Sequence, residues 1–396
     1  MDKVRIGIIG LGNMGKGHIS NFNAGKISNG YITAVCDIDE EALESGANLV
    51  NHEVKKYKDA IELMESGEVD AVMIETPHYL HPTLAIEALN RGLHTLIEKP
   101  AGVYTKQVRE MNEIADKSGL VFGAMFNQRT NPLYIKLKEL MDSGEVGEFR
   151  RVNWIVTNWY RTQSYYNSGS WRATWEGEGG GVLLNQLPHQ IDLLQWICGM
   201  PSKITGFCSY GKFHDIEVED DITAYMEFPN GATGVLVSTT GEAPGTNRLE
   251  IVGTKGKIVV EKSNCVYHGP VDDCINFYRT REDVAEHLKS AKGGFDVPET
   301  WHCKIEVQGN GGSHPEICTN FCNAILNGTP LLAPGQDGIN GVTISNAIHL
   351  SDWLGKTIEL PIDEDLFYEK LQEKIKNSTF VKAEVVKNDA GFENSF

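Results

Sequence analysis

Short apolar, β-branched runs alternate with amphipathic stretches of helical length over residues 1–126. The runs Val4–Ile9, Tyr31–Cys36, Ala71–Ile74, Thr95–Ile97 and Val121–Met125 predict strands. Between them His18–Asn23, Glu40–Val50, Ala60–Ser66, His81–Arg91 and Lys106–Lys117 predict helices. Gly92 and Gly119 stand where helices of this kind end. That βαβ rhythm predicts a parallel sheet covered by helices on both faces.

Beyond residue 145 the period changes to two. Phe149–Thr157, Ile204–Phe213, Ile222–Phe228, Thr233–Thr239, Arg248–Val252 and Lys257–Glu261 alternate apolar with polar positions. Turns such as Pro229-Asn230-Gly231 join them, predicting an antiparallel or mixed sheet. Gln190–Gly199 and Pro315–Asn327 read as helices, and Asp365–Asn377 as a charged surface helix. Residues 262–312 are glycine-rich and read as an irregular excursion over the sheet, and 379–396 as a loose tail. The expected division is therefore 1–126, 127–378 and a tail over 379–396. The expected fold class is an α/β domain followed by an α+β domain with a large, mostly antiparallel sheet.

Composition narrows the function. The 396 residues carry a formal net charge of −18, which repels phosphate backbones and anionic membranes. No apolar run is long enough for a membrane-spanning helix, and the N-terminus opens on a strand pattern rather than a signal peptide. Eight cysteines without a C-x-x-C pair indicate neither a disulfide scaffold nor a zinc ribbon. The expectation is an acidic protein of a reducing, cytoplasmic compartment, with neither nucleic acid nor membrane as partner.

Gly10-Leu11-Gly12-Asn13-Met14-Gly15 is G-x-G-x-x-G between the first strand and a helix. Its glycines permit a tight turn, close approach to a pyrophosphate and tight helix packing, and the helix N-terminus supplies N–H donors. Asp37 closes the next strand, where a carboxylate accepts from a ribose 2′-hydroxyl and repels a 2′-phosphate. The sequence predicts NAD rather than NADP.

Three further motifs follow in order: Glu75-Thr76-Pro77-His78-Tyr79-Leu80-His81, Glu98-Lys99-Pro100, and Gly179-Gly180-Gly181-Val182-Leu183-Leu184-Asn185 running on to His189 and Asp192. With the glycine turn they resemble the glucose–fructose oxidoreductase / inositol dehydrogenase (Gfo/Idh/MocA) family. Leu331–Gly341 and Leu360-Pro361-Ile362-Asp363 extend the resemblance over nearly the whole chain.

The resemblance implies a nicotinamide-dependent oxidoreductase of a sugar, glycoside or polyol, the C3 hydroxyl of a glucoside being one form. It implies a substrate on the open face of the second domain's sheet and a homodimer or homotetramer. Lys99 and His189 take the family's catalytic lysine and histidine, and Asn185 stands where the family has aspartate. Besides Gly10, Gly12, Asn13, Met14, Gly15 and Asp37, it gives the cofactor Thr76, Pro77, His81, Glu98, Lys99 and Asn127. An imidazole suits the alcohol proton at neutral pH, and an ammonium suits the developing alkoxide. Asn185 removes a charge from the site, while its amide can accept from Lys99 or donate to a hydroxyl. If its segment is helical, Asn185 shares a face with His189; if Pro188 starts the helix, Asn185 lies just outside it.

Aromatic and basic residues crowd the approach: Tyr160, Arg161, Trp171, Arg172 and Trp175. With Arg129, Lys99 and His189 they are the expected substrate contacts, a core loop and a domain hinge being the competing readings. His314, Cys318 and Cys322 recur every four residues and read as a buried face, and His78 with His81, two histidines flanked by apolar residues, do not make a site, so no metal is expected. Two other activities share these features. One is a glycosidase that retains NAD through transient oxidation and elimination. The other is a non-catalytic NAD-binding sugar sensor.

Overall fold

A computed structural model describes residues 2–262, 274–309 and 311–382. The first sheet contains β1 (Val4–Ile9), β2 (Gly30–Cys36), β3 (Lys55–Tyr57), β4 (Ala71–Ile74), β5 (His94–Ile97) and β6 (Phe122–Ala124). Between them run α1 (Asn13–Asn23), α2 (Glu40–Leu49), α3 (Ala60–Glu65), α4 (Leu80–Asn90) and α5 (Thr105–Ser118). All neighbouring strands are parallel, in the order β3-β2-β1-β4-β5-β6. This is a Rossmann sheet, whose order reverses between β1 and β4 and opens a crevice at their C-terminal ends. β4 is buried at every position, as expected of a strand covered on both faces. Asp39 and Asp59 cap α2 and α3, accepting from backbone N–H groups of the first turn.

The second half begins with α6 (Pro132–Asp142), β7 (Phe149–Val156), α7 (Gln163–Tyr166) and α8 (Pro188–Cys198). It continues with β8 (Lys203–Tyr210), β9 (Glu219–Glu227), β10 (Thr233–Thr239), β11 (Asn247–Gly253), β12 (Gly256–Lys262) and β13 (Cys274–Thr280). Then follow α9 (Val284–Ser290), β14 (Thr300–Glu306), α10 (His314–Asn327), α11 (Gly338–Leu354), β15 (Ile358–Glu359) and α12 (Glu364–Asn377). Nine strands form one sheet in the order β14-β13-β12-β11-β7-β10-β9-β8-β15. Only the β7–β10 pair is parallel among the pairings of this sheet. One face packs under α8 and α11 in a core that includes Trp154, Leu193 and Ile348. On the other, Phe207, Thr223, Val237 and Ile155 form a row across four strands. Phe207, Ile155, Tyr225 and Tyr278 are exposed there.

Three expectations change. Residues 274–306 are not an irregular excursion but extend the sheet through β13 and β14, where the outermost strand buries few side chains and so shows little alternation. Residues 263–273 and 310 of that stretch lie outside the described residues, as does the expected tail from 383 on. The short edge strand β3 pairs with β2 although its three residues carry no apolar run. Finally, α10 returns to the first half. Its Ile317, Cys318, Phe321 and Cys322 are buried in the core that surrounds the parallel sheet. The every-fourth-residue cysteine stripe is therefore packing surface.

Candidate active site

A cavity of about 890 Å³ runs from the glycine-rich turn, past the C-terminal ends of β4 and β5, to the 159–190 segment. Gly10 has φ +99°, and a Cβ there would meet the Glu75 carbonyl oxygen at 2.6 Å. A Cβ on Gly15 would come within 2.1 Å of Gly10 O, so α1 can sit this close only over glycine. Gly12 faces open space and caps α1 without any side-chain acceptor, leaving first-turn N–H groups for an anion. Asp37 accepts the Leu11 N–H at 2.7 Å and the Asp39 N–H at 2.9 Å, fixing the turn from the end of β2. Thr76 Oγ1 and Asn127 Oδ1 are buried without a hydrogen-bond partner, although both residues line the cavity. Orphaned polar atoms around an uncapped helix end fit a dinucleotide. Gly10, Gly12, Asn13, Met14, Asp37, Thr76, Pro77, His81, Glu98, Lys99 and Asn127 all line this cavity, with Gly15 beneath it.

Histidines tie the turns together. The His81 ring lies between the carbonyl oxygens of Pro100, 2.8 Å from Nδ1, and Thr76, 2.6 Å from Nε2. It thereby couples the turn after β4 to the one after β5. His78 places Nδ1 3.3 Å from Glu178 O and meets the Trp171 ring edge-on at 5.2 Å.

Beneath these turns lies a charged cluster that the sequence reading missed. His18 Nε2 is 3.5 Å from Glu75 Oε2 and 3.4 Å from Glu98 Oε1, all three side chains being buried. Burial disfavours every charge here. The Glu75 carboxyl, without a hydrogen-bond partner, is pushed up by burial despite the opposing His18. Burial opposes the charge on His18 too, but Glu75, the Cys318 sulfur and Glu98 together outweigh it and raise its pKa. Glu98 is likewise held down by His18 against its own burial. Burial therefore favours a proton on the Glu75 carboxyl, and His18 stands between it and Glu98. Glu75 stands directly before Thr76-Pro77, and only the fold brings it to His18.

At the far end Lys99 Nζ donates to the backbone oxygen of Asn185 at 3.1 Å. Burial, and beyond it the Arg172 and Arg161 guanidiniums, push Lys99 below the usual lysine range. His189, in the first turn of α8, leaves Nδ1 buried without a partner on the cavity wall. Burial first and Lys99 second hold its imidazole neutral, well below the ordinary range.

Asn185 does not contact Lys99 through its side chain, contrary to expectation. Pro188 starts α8, so Asn185 lies outside the helix and shares no helical face with His189. Its Nδ2 donates to the Glu178 carboxylate, and its Oδ1 accepts from Tyr165 at 3.0 Å and from Gln186 at 3.1 Å. Glu178 is buried, and burial pushes its carboxyl up. Its other oxygen accepts the Ala173 N–H at 2.5 Å. Ala173 has φ 57°, a left-handed conformation that costs energy with a Cβ. One carboxylate therefore holds both the Asn185 amide and the turn that follows Arg172.

Arg161, Trp171 and Arg172 reach the cavity as expected, and Trp159 and Tyr165 join them. Arg129, Tyr160 and Trp175 do not. Arg129 is buried in a fork on Asp192, at 2.9 and 2.7 Å, and reaches Asp337 at 2.7 Å, so it clamps the domain junction. Tyr160 is 51% exposed, because the chain turns its neighbour Arg161 inward instead. Trp175 is buried against His349 and Trp353 behind the cavity wall.

Comparison with known proteins places this geometry. Residues 4–126 match the oxidoreductase family with an NAD-binding Rossmann fold, and residues 134–259 match the GFO/IDH/MocA C-terminal domain. The myo-inositol 2-dehydrogenase of Thermotoga maritima is 27% identical over 266 residues, 65% of this chain and 75% of its own. The scyllo-inositol 2-dehydrogenase (NAD(+)) of Bacillus subtilis is 26% identical over 273 residues, 65% of this chain and 74% of its own. The WlbA dehydrogenase of Bordetella pertussis, solved with NADH and UDP-GlcNAcA, superposes with a TM-score of 0.75 at 25% identity, covering 91% of this chain and 100% of its own. With its glycine turn, Glu98-Lys99-Pro100 and His189 around one cavity, the chain belongs to the Gfo/Idh/MocA family of NAD-dependent oxidoreductases.

Proposed function

We propose that this oxidoreductase removes hydride from a secondary hydroxyl of a sugar, glycoside or polyol, with His189 as the base and Lys99 as the cation over the reacting oxygen. The observation that carries this reading is the buried, unpartnered Nδ1 of His189 in the cavity that Lys99 and the dinucleotide turn also line, where burial lowers the imidazole's proton affinity. NAD, when bound, accepts the hydride. His189 takes the proton from the hydroxyl oxygen as the carbon gives up its hydrogen as hydride, and the C–O bond becomes a carbonyl. The Lys99 ammonium, steadied by the Asn185 carbonyl oxygen, stabilises charge on that oxygen as the proton leaves. Gly10, Gly12, the first turn of α1 and Asp37 would hold the diphosphate and adenosine ribose, and the carboxylate of Asp37 favours NAD over NADP.

The curated relatives act on ring polyols, which supports this class of substrate. The C3 hydroxyl of a glucoside is the first position to examine. Contrary to the expected substrate position, the cavity lies on the α8 side, and among the described residues no strand of the second sheet lines it. The open face with Phe207, Ile155 and Tyr225 is therefore free to be the one on which a homodimer or homotetramer would form. The test is NADH formation across a panel of inositols, hexoses, glycosides and sugar acids. Accumulation of NADH with one substrate supports the dehydrogenase. Glycoside cleavage without NADH accumulation replaces it with the NAD-retaining glycosidase. Binding of sugar and NAD with no chemistry on any of them leaves the sensor.

A further inference from the structure

The two ends of the cavity differ in charge. The wall contributed by the first domain carries the carboxyl groups of Asp37, Asp39, Glu41, Asp59, Glu75 and Glu98 against the lysines Lys16, Lys58 and Lys99. Among the described residues the wall from Trp159 to Gln190 carries two guanidiniums and no carboxylate. In a chain of net charge −18 this local reversal stands out. Arg161 and Arg172 lie against the same Tyr165 ring, with Cζ 5.0 and 4.8 Å from its centroid. Both depress the neighbouring Lys99, so three cations share the catalytic end.

Among the described residues neither arginine has a salt bridge to a carboxylate. Arg161 Nη1 donates to the Tyr160 carbonyl at 3.0 Å, and its Nε is buried without a partner. Arg172 Nη1 donates to the Tyr165 hydroxyl at 3.0 Å. The nearest acid behind them, Glu178, is engaged by Ala173 and Asn185 and does not line the cavity. The segment is held from outside: Arg161 N donates to Thr240 O at 2.9 Å, and the Tyr166 hydroxyl lies 2.7 Å from Thr240 Oγ1. Glu98 and Glu178 offset part of the repulsion among the three cations, and an anionic substituent facing Arg161 and Arg172 would offset more of it than a neutral sugar could. Guanidiniums present paired N–H donors that match a carboxylate or phosphate.

We propose that the substrate is an anionic sugar, its carboxylate or phosphate bound by Arg161 and Arg172 while the reacting hydroxyl meets Lys99 and His189. The proposal rests on the dehydrogenase reading for the second clause only. The anionic group is a substituent away from the oxidised carbon, because Lys99 and His189 occupy the reacting position.

The experiment titrates NADH-loaded protein with glucuronate, glucose 6-phosphate and glucose, followed by NADH fluorescence, and measures NAD reduction with the same three compounds. One of the two anions should bind roughly tenfold or more tightly than glucose, with the advantage shrinking as salt rises. Which anion wins identifies carboxylate or phosphate. The Arg161→Gln/Arg172→Gln double variant should bring the anion to within about twofold of glucose. Arg161→Lys/Arg172→Lys, which keeps the charge and loses the fork, should retain part of the preference and guards against a misfolded glutamine variant. Glucose binding as tightly as both anions, no measurable binding of either anion, or a preference that survives the glutamine variant overturns the proposal. Anion-selective binding without NADH formation leaves it standing and sinks the dehydrogenase reading. Efficient oxidation of neutral sugars in preference to both anions does the reverse.

Discussion

The side-chain amide of Asn185 donates to the buried carboxylate of Glu178, so the acid lost from position 185 has a counterpart seven residues earlier in the chain. That counterpart faces away from the cavity. Asn185→Asp would set two carboxylates against each other, and one of them would have to keep a proton. Their pKa values would rise on folding, so stability would be lost as pH climbs above the usual carboxylate range. We expect Asn185→Asp to lose roughly 1–3 kcal/mol at pH 8 and little at pH 5. Thermal unfolding at the two pH values checks this. An equal Tm difference at both would mean that the carboxyls do not interact.

His189 predicts a pH profile. Its imidazole is held neutral well below the ordinary value of about 6.5, so the base remains available as pH falls through 6.5. The acid limb of kcat/KM should therefore lie below pH 6.5. On the alkaline side Lys99, depressed by burial and then by the two arginines, should lose its proton below the usual lysine value. His189→Ala should lower kcat by about 10²–10⁴ with NADH affinity near wild type. A kcat that stays unchanged removes His189 from the proton path.

Asp37 lines the cavity beside the glycine turn and also holds the N–H groups of Leu11 and Asp39. Asp37→Ala should weaken NAD binding about tenfold or more and narrow its margin over NADP. Titration of both cofactors measures the margin. Tighter binding of NADP by the wild-type protein would remove the basis for the NAD preference.

The His18–Glu75–Glu98 cluster predicts an alkaline weakness. Burial lifts Glu75 to about 8 from the usual carboxylate range, and His18 is raised as well. Groups raised on folding contribute stability at low pH and lose it as pH rises through the folded value. The unliganded protein should lose Tm progressively from pH 4.5, the ordinary value for a glutamate, to about 8. Glu75→Gln keeps the shape without the titration and should flatten that decline. A parallel decline in both proteins would place the titrating group elsewhere.

Arg129 is expected to matter for folding rather than for substrate. Arg129→Gln strips a buried fork from Asp192 and should cost about 3–5 kcal/mol in chemical denaturation. If stability holds and only KM rises, Arg129 belongs to the substrate after all.

The glycine turn, Asp37 and the parallel strands were legible because their signals are local: a run of buried residues, a tight turn and a carboxylate at a strand end. Arg129 was misread because its partners stand 63 and 208 residues away, and nothing near it in the chain shows that it is taken. Trp175 was misread for a related reason. An indole beside a basic, aromatic segment looks the same in sequence whether it faces the cavity or, as here, His349 and Trp353. Glu75 and Glu178 escaped notice because what distinguishes them is burial, which depends on α1 and on the Ala173 turn. β14 went unseen because an edge strand that buries little is specified by its neighbour rather than by its own pattern.

The return of α10 to the parallel sheet has a consequence for the order of synthesis. Gly30 packs so close to Cys322 that a Cβ there would approach its sulfur to 2.8 Å, and Phe321 is buried in the same core. A ribosome that has released the first 126 residues has made every strand of that sheet but not the helix that seals it. The nascent nucleotide domain must therefore hold an open apolar flank until residue 327 emerges. A fragment ending at the domain junction would keep that flank exposed, and co-expression with the remainder of the chain is the arrangement that would cover it.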